Sequence, residues 1–75
     1  THEILYPNVR HYKDADMLVV KKVIERYKKH PNDAHRTSVI DLASKMAAQM
    51  ELDEVPFKKL QFLKDILKDY VVLTR

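Results

Sequence analysis

The sequence predicts an all-α fold, a compact three-helix bundle preceded by an N-terminal arm with room for one short fourth element. Three observations carry that reading. Three segments place apolar residues at helical spacing. The 75 residues include no glycine, and tight hairpins that need positive φ normally rely on glycine. The breaks between the apolar segments are marked by Pro, Asn and Asp, residues suited to helix corners.

The arm is "THEILYPNVRHYK", residues 1 to 13. It is apolar and aromatic without a sustained period, and Pro7 biases Tyr6 toward an extended backbone. Ile4, Leu5, Tyr6 or Val9 is expected to pack against the bundle. The first helix is expected over 14–30, with Asp14 as N-cap and Asp16 in the first turn. Met17, Val20, Val23, Ile24 and Tyr27 form its inward stripe. Lys28, Lys29 and His30 suit its C-terminal end, and Pro31 stops it. The second helix is expected over 37–50, where Ser38 and Asp41 resemble a capping box with the acid shortened. A start at Asp33 is the alternative. Its stripe is Val39, Leu42, Ala43, Met46, Ala47 and Met50. The third is expected over 53–70, with Asp53 as cap and Pro56 tolerated in the first turn. Phe57, Leu60, Leu63, Leu67 and Tyr70 are its stripe, widened by Phe62 and Ile66. The tail "YVVLTR" either continues the helix or leaves it as a short strand. Together these segments make one helical unit over 1–75.

At this length a single core only just outweighs chain entropy. Hydrophobic residues make up 45% and charged residues 33% of the chain, a globular balance rather than a disordered one. There is no cysteine, which excludes disulfides, cysteine-type zinc sites and thiol catalysis. That fits an intracellular, cytoplasmic setting. No apolar run approaches the ~18 residues needed to cross a bilayer, and no signal-peptide pattern is present. The chain opens on Thr1 rather than Met, as an excised domain or a processed product would.

Residues 47 to 62, "AAQMELDEVPFKKLQF", raise the question of a DNA-reading helix-turn-helix. With the small residue of that motif at Ala47, apolar anchors fall on Met50, Leu52, Phe57 and Leu60, so the spacing resembles it in part. Against it, Glu51 stands where glycine is favoured. Asp53 and Glu54 would face phosphates and the acceptor edges of bases. Pro56 is rare in a helix that enters a groove. A plain corner between two helices is the preferred reading.

Charge points elsewhere. The net charge is +3, and residues 1 to 36 hold eight Lys/Arg against five Asp/Glu, while residues 37 to 75 hold six of each. Lys22, Arg26 and Lys29, spaced i, i+4, i+7, line one helix face, and Arg36 follows in the next segment. Lys58 and Lys59 extend the set. Such a surface neutralises phosphates and binds nucleic acid with strong salt dependence and little sequence preference. The competing reading is a solvated face, with Lys21 to Glu25 and Glu25 to Lys28 or Lys29 as local ion pairs. In the arm, Tyr6 and Tyr12 alternate with Arg10, His11 and Lys13. Exposed, they would stack single-stranded bases; buried tyrosines pinning the arm are preferred.

No chemistry of catalysis is legible. His30 and His35 straddle Pro31 and share no helix face, neither has an acidic partner at ligand spacing on one element, and His2 with Glu3 forms no known metal-binding pattern, so no metal or cofactor is expected. Ser38 and Ser44 are better explained as a helix cap and a helix surface than as nucleophiles beside a His and an acid, and without glycine no loop cradles phosphate. The expectation is a non-enzymatic accessory domain contacting DNA or RNA phosphates, with no membrane contact. The alternative is a protein-binding adaptor or inhibitor. In that reading Phe62, Val71, Val72 and Leu73, apolar positions beyond what one core holds, dock a protein partner or a second copy.

Overall fold

The chain stops and restarts its helices at two kinds of corner, and those corners decide the architecture. The computed structural model describes residues 3–74. A 3-10 turn over Pro7–His11 precedes three helices, α1 (Asp14–Lys29), α2 (Asp33–Gln49) and α3 (Lys59–Thr74). The helices pack pairwise against one another and the 3-10 turn packs on α3, so the fold is an all-α three-helix bundle.

Helix α1 is capped differently from expectation. Lys13, with extended backbone, is the N-cap. Its N–H donates to the Asp16 carboxylate at 2.9 Å, which satisfies the amide just outside the helix. Asp14 is instead the first helical residue, and its carboxylate accepts a 2.6 Å hydrogen bond from the Tyr70 hydroxyl of α3. Helix α2 takes the earlier of its two starts. Asn32 is the N-cap, its side chain accepting from His35 N–H at 2.9 Å. Ser38 caps nothing, because it already lies a turn inside the helix and donates to the Ala34 carbonyl.

Helix α2 ends at Gln49 with Met50 as its C-cap, after which Glu51 adopts φ 58°. Leu52 N–H reaches back to the Ala47 carbonyl and Glu51 N–H to that of Ala48. This paired return is the Schellman stop, usually built on glycine. In a glycine-free chain Glu51 bears the left-handed conformation itself, at an intrinsic cost of about 1 kcal/mol.

Residues 50 to 58 then run without regular structure to α3. Leu52 and Val55 pack against the core along the way, and Pro56 disfavours a helical Val55. This stretch carries the chain from one end of the bundle to the other. At one end the Tyr12 hydroxyl, just before α1, donates to the Gln49 side chain at the end of α2, and Tyr70 of α3 meets Asp14 of α1. At the other, Leu60 at the start of α3 shares a groove with Tyr27 of α1 and Val39 of α2. Helix α3 therefore runs against α1 and in the same sense as α2. A helix of 17 residues is about 25 Å long at ~1.5 Å per residue. The extended connector reaches about 30 Å at ~3.3 Å per residue, enough to return along it.

The late start of α3 corrects two expectations. Asp53, Glu54 and Pro56 lie outside any helix, so the helix-turn-helix spacing is not realised: such a turn takes about three or four residues, and here nine separate Gln49 from Lys59. Starting at Lys59 also changes which residues face inward. Phe57, expected in the core stripe, is 92% exposed. Phe62, expected to be available to a protein partner, is 1% exposed at the centre of the core with Leu63, Ile66 and Val20. The tail stays helical to Thr74.

The arm is fastened by Asp69, which is fully buried. Its carboxylate accepts the backbone N–H groups of Leu5 at 2.9 Å and Tyr6 at 2.7 Å. The Tyr6 ring meets Phe62 edge-on at 5.0 Å, and Val9 is fully buried. The arm tyrosines are thus half-buried pins rather than an exposed stack.

Candidate nucleic-acid interface

The six cations singled out by the sequence fall into two sets. Lys22, Arg26 and Lys29 lie on the side of α1 away from Met17, Val20 and Ile24, and all three are exposed. Among the described residues none of them has an ion-pair partner, and the expected Lys21–Glu25, Glu25–Lys28 and Glu25–Lys29 pairs are not closed. These charges remain available to solvent or a ligand.

The second set converges on a groove at the end of the bundle where α1 stops, α2 starts and α3 starts. Tyr27 of α1, Arg36 and Ile40 of α2, and Lys59 and Leu60 of α3 line it, with Phe57 standing at the mouth. Val39 forms part of its floor, and the groove encloses about 220 Å³. Among the described residues no carboxylate lines it. Arg36 is brought there because Asn32 starts α2 early enough to make it helical. Lys59 and Phe57 are brought there by the connector's return along the bundle. Lys58 is exposed beside them but does not line the groove.

Lys58 and Lys59 also sit where helix stability alone would place acids. The Lys58 carbonyl accepts the first hydrogen bond of α3, from Phe62 N–H, and the first turn has no acidic residue. Cations at this positive end of the helix dipole are unfavourable by about 0.3–1 kcal/mol each.

Two other surfaces differ in character. A larger groove of about 540 Å³ runs between the arm, α1 and the end of α2, and is lined by Asp16 and Glu51 as well as Lys45 and His11. Its carboxylates oppose a polyanion. At the end of α3, Leu67, Lys68, Val71 and Val72 form a shallow apolar depression of about 300 Å³. Val71, Val72 and Leu73 are exposed there, whereas Phe62 is not part of that surface.

His30 and His35 make a corner rather than a ligand set. His35 Nδ1 lies 2.7 Å from the His30 carbonyl. A carbonyl only accepts, so Nδ1 carries the proton. Among the described residues no group of three or more His, Asp or Glu side chains converges for a metal, and His2 lies outside them. Burial raises the Tyr6 phenol above the usual tyrosine range, assisted by Asp65 and Asp69. Burial, then Asp16, does the same at Tyr12.

Sequence reasoning passed over Tyr27, Ile40 and Phe57 as site residues by assigning Tyr27 and Phe57 to the core. The "PFKK" run held a signal, since an aromatic between proline and two lysines at a helix start has little to pack against. Asp69 was not singled out by the sequence, although its spacing from Phe62 and Ile66 puts it on the inward face of α3, where it is fully buried.

The chain matches the model of one family, Domain of unknown function (DUF8484), over residues 1–75, and it belongs to that family. No curated protein and no solved structure matches it. Among the described residues no helix is long and apolar enough to cross a membrane.

Proposed function

We propose that this DUF8484 chain is a non-enzymatic helical accessory module that holds DNA or RNA by its phosphate backbone, as part of a nucleic-acid-processing or regulatory assembly. The observation that carries the reading is the convergence of Arg36 and Lys59, from different helices, on a groove that no carboxylate lines among the described residues. The unpaired line of Lys22, Arg26 and Lys29 supplies a second run of phosphate contacts. Phosphate contacts of this kind release counterions, so affinity falls steeply with salt and depends little on sequence. The lysines at the start of α3 support the reading further, because they are held there against the helix dipole.

The test is fluorescence anisotropy of labelled single- and double-stranded oligonucleotides at ~50 and ~200 mM salt. Affinity for duplex is expected to weaken about a thousandfold across that range if roughly six cations meet phosphates. Changing Lys22, Arg26 and Lys29 to Glu together should flatten the salt slope and remove most of the binding while the helical signal is kept. Binding that ignores both salt and this triple change would refute the reading.

A second reading has one observation of its own, the exposed apolar end of α3. Val71, Val72 and Leu73 beside Leu67 suit a protein partner or another copy of the chain. Under it, Val72→Asp breaks association with that partner and leaves oligonucleotide binding intact.

A further inference from the structure

The phosphate reading leaves one feature of the groove unused. Phe57 is almost wholly exposed, in a segment held on either side by the packed Val55 and by the start of α3. Nothing in the bundle requires an aromatic there. Buried in the core, Phe57 would stabilise the fold; at the mouth of the groove it presents an apolar ring to water. Tyr27 and Ile40 line the same groove, and Arg36 and Lys59 bring charge to it.

Resting on the phosphate reading, we infer that this groove is selective for single-stranded nucleic acid, with a base stacked on the Phe57 ring while Arg36 and Lys59 hold flanking phosphates. The chemistry favours this occupant over a duplex. An aromatic face is useful only to a base that has left its stack, and every base offers a π-face whatever the sequence. In a duplex the bases are stacked on each other, so only the phosphates would be met. The lack of a lining carboxylate among the described residues fits a polyanion. The α1 cations do not line this groove, so backbone binding and base stacking are separable in one molecule.

The chain contains no tryptophan, so Phe57→Trp introduces a single indole at the stacking position. Its emission should be quenched on titration with a 12-nucleotide oligothymidylate or oligouridylate and stay unchanged with a 12-base-pair duplex. In parallel, Phe57→Ala should weaken single-strand binding about tenfold or more, given the usual strength of base–aromatic stacking, and leave duplex binding as in the parent chain. Because Phe57 is not part of the core, both variants are expected to keep the parent's helical signal. If Phe57→Ala binds the single strand as the parent does and Phe57→Trp is not quenched, the stacking inference is overturned. Should Arg36→Glu with Lys59→Glu still abolish binding in that case, the phosphate reading survives alone. No binding of any oligonucleotide by the parent chain overturns both.

Discussion

Phe57 and Phe62 lie five residues apart and have opposite environments, and the contrast shows how a single residue's role follows from where a helix begins. Phe62 lies on the buried face of α3 and meets the Tyr6 ring, so its removal leaves a cavity the surrounding side chains cannot fill. Phe62→Ala is expected to destabilise the fold by about 3–5 kcal/mol. Phe57→Ala, by contrast, should shift stability by no more than about 0.5 kcal/mol. Urea denaturation of the two variants checks both values, and a reversed order would mean that the phase of α3 is wrong. Asp69 belongs to the same scale. A buried carboxylate is costly unless hydrogen-bonded, and here it accepts two backbone N–H groups of the arm. It fastens residues 5 and 6 with groups that no side-chain pattern reveals.

At the scale of the element, helix ends carry the information that helix middles do not. The stripes of Met17, Val20 and Ile24 in α1 and of Val39, Ala43, Met46 and Ala47 in α2 are buried as their spacing requires. Three of the ends differ from expectation. Lys13 rather than Asp14 caps α1, Asn32 rather than Ser38 caps α2, and α3 begins at Lys59 rather than Asp53. The actual start is set by a tertiary partner in α1, by the local Asn32 cap in α2 and by the packing of the preceding segment in α3. Tyr70 takes Asp14, and Leu52 with Val55 holds the connector extended. The stop of α2 offers a direct check. Glu51 sits at φ 58°, where a residue without Cβ is less strained, so Glu51→Gly should stabilise the protein by about 0.5–1 kcal/mol. Thermal or denaturant unfolding would register the gain. A loss would show that the Glu51 side chain does more than bear the turn.

For the whole molecule, the bond between the first residue of α1 and the end of α3 links fold stability to alkaline pH. The hydrogen bond from the Tyr70 hydroxyl to Asp14 raises the phenol above its usual value, with burial and the charges of Asp14 and Asp16 adding to it. A group whose folded pKa is raised contributes its stabilisation fully below the unfolded value, about 10 for tyrosine, and loses it as pH rises through the folded one. Melting temperature is therefore expected to hold from about pH 8 to 10 and to fall above that. The fall should be shallower in Tyr70→Phe, which has no phenol to ionise; an unchanged slope would remove this bond from the cause. The sequence by itself determined the all-α class, the number of helices, most of their inward faces and which side of α1 is basic. Those follow from local periodicity, from the lack of glycine and from the one-sided placement of charge. Only the tertiary structure decided that α3 runs in the same sense as α2, that Phe57 faces water, and that Arg36 and Lys59 share a groove with it. The physical reason is that the connector's path depends on what Leu52 and Val55 can bury against two other helices, and no local pattern in the chain encodes contacts made at that distance.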